Sequence, residues 1–303
     1  ISYNRAKIDK LAGGQTWQSS NWGGKPAGQN DFFIEEGGRL GEVYGYELDG
    51  FYTTDDFSWD GSKWILNENL TDPTELIKYN NFGPGSLKLK ADEDGKFTKK
   101  RLGNTVPTVT GGFGINMRYK NFDLSAFFNY SLGNKIVNAT KLGSSYYNDT
   151  KKGWNLNDNF TLAKRYSWID PSTGENMLKS SYIKSNGLDY TINRLNEINA
   201  GASMYNPGSI TEMPLLDWAV EDGSFLRVNN ISIGYTLPKV FVNKMFMQNV
   251  RIYVTGYNLY CFTKYSGADP EVDTRRSTPM TPGVDYSAYP KSRSFVGGIN
   301  VTF

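Results

Sequence analysis

The sequence predicts an all-β fold: antiparallel strands that cross a membrane as part of a barrel, joined by short turns at one end and long loops at the other. Three observations predict it. Apolar and polar residues alternate with period two through several segments long enough to span a bilayer. The connections between those segments are strongly unequal in length. The composition is that of a β protein with long polar loops, with 15% aromatic residues, 20 Tyr, 7 Trp and 32 Gly in 303 residues and a mean hydropathy of -0.52.

The first strand is expected near 1–9. The chain opens on "ISYNRAKI", already inside an alternating pattern and with neither an initiator Met nor a charged signal region, so a processed product or a piece of something longer is expected. The next two strands are expected near 111–120 and 122–131. Phe113, Ile115, Met117 and Tyr119 alternate with Gly114, Asn116, Arg118 and Lys120. After a turn at Lys120–Asn121, the series Phe122, Leu124, Ala126, Phe128 and Tyr130 alternates with Asp123, Ser125, Phe127 and Asn129. This is a tight hairpin with one apolar face, and its tyrosines stand at the ends of that face, where an interfacial aromatic girdle would place them.

A strand near 225–237 carries Leu226 and Val228, then Ile231, Ile233, Tyr235 and Leu237. The change of phase at Asn229–Asn230 calls for a β-bulge, which restores a single apolar face. Across a short connection from Pro238 to Asn249, a strand near 250–261 sets Val250, Ile252 and Val254 against Arg251, Tyr253 and Thr255. The last strand, near 294–303, places Phe295, Gly297, Ile299, Val301 and Phe303 on one face and Ser294, Val296, Gly298, Asn300 and Thr302 on the other.

The remaining connections, roughly 11–110, 132–224 and 262–293, are polar, aromatic-rich and longer than compact domains ordinarily carry. Short turns opposite long loops is the pattern of an outer-membrane barrel, with the turns periplasmic and the loops extracellular. The apolar face then meets lipid and the polar face the lumen. Phe113, Ile115, Met117, Phe122, Leu124, Phe128, Ile231, Ile233, Ile252, Val254, Ile299 and Val301 are expected on the lipid side.

Bulk composition excludes several functions. No apolar run approaches the roughly 18 residues of a transmembrane helix. Lys plus Arg is 33 against 31 acidic residues, a net charge of +2, which gives no electrostatic case for nucleic acid or anionic lipid as the main partner. The chain has no His, so a Ser-His-Asp or Cys-His nucleophile, a His-ligated metal and a His general base are all impossible within it. The lone Cys261 makes an internal disulfide impossible and reads as a small residue at a strand end. Neither enzymatic activity nor a cofactor is expected.

The stretches "GEVYGYELDGFY", "RYKNFDLSAFFNYSLGNKIVNAT", "EDGSFLRVNNISIGYTLPK", "VRIYVTGYNLYCFTKYSGADPEV" and "GVDYSAYPKSRSFVGGINVTF" resemble, in order and over nearly the whole chain, the C-terminal part of the SusC/RagA-like TonB-dependent outer-membrane transporters of Bacteroidetes. The resemblance implies that residues 1–303 are the C-terminal segment of a large barrel of about 22 strands. Six strands cannot close such a barrel, so the remainder of the barrel, the plug domain and the TonB-contacting box are expected outside this chain. It further implies a SusD-like surface lipoprotein as a lid over the extracellular loops, energy from the TonB complex through the absent plug, outer-membrane lipid around the wall, and import of an oligosaccharide or peptide. In proteins of this kind the final aromatic residue is read by the outer-membrane assembly machinery, which makes Phe303 an assembly signal as well as a girdle aromatic.

Candidate site residues lie in the loops. The stretch 132–224 holds ten aromatic residues; Trp154, Tyr166, Trp168 and Trp218, together with Tyr146 and Tyr147, could stack on sugar rings or anchor a peptide. They could equally fold the loop on itself or face a partner lipoprotein, and Trp59 and Trp64 carry the same ambiguity. The stretch "KLKADEDGKFTKKR" is similar to a calcium-binding loop, yet Lys90 and Arg101 occupy two ligand positions around Asp92, Asp94 and Gly95. It is expected to be an Asp-Gly turn without metal. Asp55–Asp56, Glu221–Asp222 and Asp269/Glu271 mimic a glycosidase carboxylate pair, but adjacent carboxylates in extended chain point apart, and each is expected to be a solvated loop charge.

Two other functions compete with nutrient import. About 300 residues could build the roughly twelve strands of a self-contained barrel acting as a translocator or adhesin, but the three long loops leave too few. A secreted carbohydrate-binding or hydrolytic β protein would partition into buffer rather than detergent. The mass of the native polypeptide would decide whether the chain is a fragment.

Overall fold

A computed structural model of the chain describes residues 1–14, 16–19, 30–147, 155–244, 246–271 and 280–303. Six strands form one antiparallel sheet, each beside its predecessor: β1 (Ser2–Tyr3), β2 (Val109–Tyr119), β3 (Phe122–Leu132), β4 (Phe225–Thr236), β5 (Asn249–Thr263) and β6 (Ser294–Thr302). These are the six strands the alternation predicts, with two differences. The first strand pairs only through Ser2 and Tyr3, opposite Thr110 and Val109, rather than along 1–9. The connection after β4 is not a plain turn, because it contains the helix Lys239–Lys244.

Register turns the alternation into two faces, since residues directly opposite one another in antiparallel strands project the same way. Met117, Leu124, Ile233, Val254 and Gly297 stand in one row, and Tyr119, Phe122, Tyr235, Ile252 and Ile299 in the next. Phe113 stacks on its opposite number Phe128 with ring centroids 4.8 Å apart. This face leaves Met117, Ile233, Val254 and Ile299 between 53% and 64% exposed. A contiguous apolar surface of that kind requires an apolar solvent. The opposite face carries Asn116, Ser125, Ser232 and Thr255 in one row and Arg118, Asp123, Gly234, Tyr253 and Gly298 in another. Arg251 reaches across Gly234 to bond Asp123 through Nε at 2.9 Å and Nη2 at 2.5 Å. A Cβ at Gly234 would lie 2.4 Å from that guanidinium, so the glycine makes room for the ion pair.

The expected bulge is present. Phe127 pairs with Asn230 and Phe128 with Val228, leaving Asn229 as the extra residue. Leu226 and Val228 thereby return to the face of Ile231 and Ile233.

All three long connections leave the same end of the sheet and fold together into a cap. One core joins Phe32, Val43, Ile77 and Leu87 of the first connection with Val137, Leu142, Tyr205 and Leu215 of the second and Val284 of the third. A three-stranded sheet of Val220–Asp222, Lys135–Asn138 and Val284–Asp285 stitches the second connection to the third. A second core brings Tyr52, Phe57 and Trp64 against Tyr166, Trp168, Met177 and Leu195. Among the described residues, three α-helices belong to the cap: α1 (Ala139–Gly143), α2 (Ser180–Asn186) and α3 (Leu188–Ile198). In α3, Leu188, Ile192, Leu195 and Ile198 recur at helical spacing and pack into that second core. No helix among the described residues is long and apolar enough to cross a membrane, which says nothing of crossing by strands.

Candidate functional site

The polar face of the sheet and the cap meet at a mouth. There the row of Asn129, Arg227 and Cys261 crosses the inside of the wall, and the third connection is tied to it. Arg227, 4% exposed, donates from Nη2 to Asp269 at 2.5 Å and from Nε to Glu271 at 2.7 Å. Glu271 also accepts from Lys291 at 2.6 Å and from Asn129 at 3.3 Å. A buried cation held by two carboxylates fixes Asp269–Glu271 against the wall and shapes the entrance to the lumen.

A second tie lies above it. Glu221 accepts from the Ser266 backbone N–H at 2.8 Å, the Ser266 hydroxyl at 2.7 Å, Lys141 at 3.2 Å and Asn138 at 3.1 Å. Burial pushes its carboxyl up, but the Ser266 and Lys141 donors more than offset this and hold it below the usual value. Tyr265, raised by burial and by its 2.6 Å bond to Asp285, completes the joint. Of the carboxylates expected to be solvated loop charges, Asp55 is exposed, but several others are structural. Asp269 is buried and bonded, Glu221 is partly buried and bonded, and Asp56 caps its own turn by accepting from the Thr53 N–H at 2.7 Å. For Glu221 and Asp269 local sequence carries no sign of this, because their donors Ser266, Lys141 and Arg227 come from distant segments, whereas Thr53 and Asp56 are three residues apart.

Beside the second tie opens a cleft of about 350 Å³, with Asn138, Lys141, Asn157, Asn159, Asp285 and Ser287 on its walls. Its walls carry polar groups beside apolar surface, and the Asn138 and Asn157 amides among them are already bonded to Glu221 and to the Lys141 and Ser144 carbonyls.

The fold gathers four of the sequence-selected aromatics, Tyr166, Trp168, Trp64 and Trp59, into the second core of the cap rather than onto an open surface. Tyr166 and Trp168 are 3% and 6% exposed, and the Trp168 indole N–H donates to the Pro84 carbonyl at 2.7 Å. Trp64 is buried and meets half-buried Trp59 edge-on at 5.5 Å. Tyr146 is buried beneath the cap surface, and Trp218 packs under the Lys141 ammonium, 4.4 Å from its ring centroid. Trp154 lies outside the described residues. Among the described residues, the large apolar side chains open to solvent on the cap include Tyr147, Leu162, Tyr190 and Tyr289, besides Ile65, Ile169 and Met280. Of these only Tyr147 was singled out by sequence. Asp92 lies in a turn where it accepts from the backbone N–H groups of Lys96 and Asp94 at 2.8 and 3.1 Å, and these bonds lower its carboxyl. Arg101 is turned away from it to Glu42. Phe303 stands exposed just past β6.

No family model matches the chain. It is 30% identical to the TonB-dependent receptor P3 of Formosa agariphila over its whole length, which is 26% of that relative. It is 23% identical to the TonB-dependent receptor SusC of Bacteroides thetaiotaomicron, again over all of this chain and 24% of the relative. Among solved structures, the RagAB peptide importer in its closed-closed state superposes with a TM-score of 0.57 at 21% identity, covering 99% of this chain and 26% of that one. The chain thus spans about a quarter of the length of the proteins it matches.

Proposed function

This chain is a SusC/RagA-like segment of a TonB-dependent-receptor β-barrel, and from that premise we propose that it supplies one stretch of the wall and most of a folded mouth for TonB-dependent nutrient import across the outer membrane. The observation that carries the proposal is the joint one of an apolar outer face on the sheet and a cap that all three long connections build at one end. A wall with nothing to admit needs no such cap. The plug, the TonB contact and the remaining strands belong to residues beyond 1–303, and energy reaches the mouth through them. Phe303 serves barrel assembly.

The cargo is a polar oligomer, an oligosaccharide in the first reading, bound by the cleft around Asn138 and Ser287. A peptide is the second reading, favoured by the likeness in fold to a peptide importer. No bond of the cargo is made or broken by this chain. A SusD-like lipoprotein closes over the cap and touches Tyr147, Leu162, Tyr190 and Tyr289, while Tyr166, Trp168 and Trp64 hold the cap's shape from within. Trp154, Trp59 and Trp218 remain candidates for contact at its edge.

The test is co-purification of the lipoprotein and growth on the cognate nutrient with the complete receptor. Leu162→Asp combined with Tyr289→Ala is expected to weaken capture of the lipoprotein at least tenfold while the barrel still assembles, whereas Asn159→Ala is expected to spare capture and reduce uptake. Normal capture by the double variant contradicts the assignment of the lid surface.

A further inference from the structure

The connection between β4 and β5 is longer than its geometry demands. At the same end of the sheet β2 and β3 are joined by Lys120 and Asn121 alone, yet Leu237 to Gln248 separate β4 from β5. The helix α4 (Lys239–Lys244) occupies this connection. The Gln248 N–H then donates to the Thr302 carbonyl at 2.7 Å, which fastens the segment to β6.

The side of the wall on which α4 lies follows from burial. Arg251 points to the lumen, because it bonds Asp123, so its neighbour Val250 points outward with Ile252 and Val254. Those two are 46% and 56% exposed, whereas Val250 is 7% exposed. Something covers Val250 on the outer face, and α4, the adjoining helix that contacts β5, is the element we place there. Within α4 the one buried residue is Val242, at 1%. The helix therefore rests on the outside of the barrel wall, with Val242 turned inward. At 100° per residue, Lys239 and Asn243 fall on one flank of Val242, Phe241 on the other, and Val240 and Lys244 outermost. Val240, Phe241 and Phe246 are 69%, 59% and 93% exposed. Leu237, whose N–H bonds the Val250 carbonyl, leads into α4 one row nearer the turns than the lipid-facing row of Tyr119, Phe122, Tyr235, Ile252 and Ile299, which sets this apolar group beside that row.

We propose that α4 with Phe246 is an interfacial foot: Val240, Phe241 and Phe246 embed in the phospholipid leaflet at the turn end of the barrel, and Lys239 and Lys244 meet lipid phosphates. Adjacency to the lipid face and the cationic flank name the occupant as phospholipid. The inference rests on the reading of the sheet as a membrane wall.

The experiment uses the complete receptor with Cys261→Ser and any other cysteine removed, reconstituted in vesicles of phosphatidylethanolamine and phosphatidylglycerol. Single cysteines at Phe241→Cys, Phe246→Cys, Asn243→Cys and Ile233→Cys carry a bimane label, with a heat-shift gel confirming that each barrel is folded. Labels at 241 and 246 are expected to be quenched several-fold more by brominated lipid than the label at 243, and to resist aqueous iodide as the label at 233 does. Iodide quenching at 241 and 246 equal to that at 243, with 233 still in lipid, overturns the foot and leaves the wall standing. Protection at 241 and 246 from both quenchers means that protein covers the patch, which also overturns it. Iodide quenching at 233 overturns both the foot and the membrane wall.

Discussion

Ile233 and Asn300 lie two strands apart in the same sheet and project to opposite faces, so substitutions at them report which solvent each face meets. Ile233→Arg is expected to destabilise the complete receptor by about 2–4 kcal/mol in urea titrations in lipid vesicles, and Asn300→Asp, which stands opposite Arg251, by much less. Equal losses contradict the face assignment. Arg227→Ala leaves Asp269 buried without its cation and is expected to cost about 3–5 kcal/mol, read as faster proteolysis in 264–293. Asp170, 1% exposed, is held well below the usual carboxylate range by the Ser172 hydroxyl at 2.6 Å, the Tyr182 hydroxyl at 2.6 Å, the Ser172 N–H at 3.0 Å and Arg194. Its folded pKa lies below the unfolded value, so its contribution is complete above about pH 4 and is lost as pH falls through the lower folded value. Thermal melts of the cap are expected to lose stability on acidification, and Asp170→Asn to lower the neutral-pH melting temperature and flatten that dependence. At this scale the sequence was informative about strand faces, because period two fixes where a side chain points. It was uninformative about Tyr166, Trp168, Glu221 and Asp269, because nothing local reveals which distant segment covers or bonds them.

Lys120, at φ 54° in the two-residue turn between β2 and β3, adopts a backbone that a side chain disfavours. Lys120→Gly is expected to stabilise the hairpin by about 0.5–1 kcal/mol despite loss of the contact between Lys120 and the Tyr119 ring; a destabilised barrel in urea would contradict this. The wall strands and the bulge at Asn229 were legible because alternation and its break are written in consecutive residues. The short strands of the cap and α1 to α3 were not. Their apolar positions are interleaved with turn residues, and Leu188, Ile192, Leu195 and Ile198 make sense as a face only once Trp64, Met177 and Tyr182 are seen beside them. The helix α4 was missed for a related reason: a connection of that length reads as a turn when only its ends are considered.

The whole molecule is a wall with a cap whose core is shared by all three long connections, and this changes what loop surgery should do. Replacing 133–224 with a tight turn removes Val137, Leu142, Tyr205 and Leu215 from the core that also holds Phe32, Val43 and Leu87. Limited proteolysis is then expected to cut within 32–105 as well, while the barrel, paired through its backbone, stays inserted. Cuts confined to the grafted turn would show that the connections fold separately. The central claim, that the sheet is a membrane wall with lipid on one face and lumen on the other, is tested most directly by a nitroxide scan along β4 from Leu226 to Leu237 in the reconstituted receptor, comparing accessibility to oxygen with accessibility to a water-soluble nickel chelate. The account predicts oxygen-favoured labels at 226, 228, 231, 233, 235 and 237 and chelate-favoured labels at 227, 230, 232 and 234, with the phase breaking at Asn229. A scan without alternation, or one that alternates through Asn229 without a break, would contradict it.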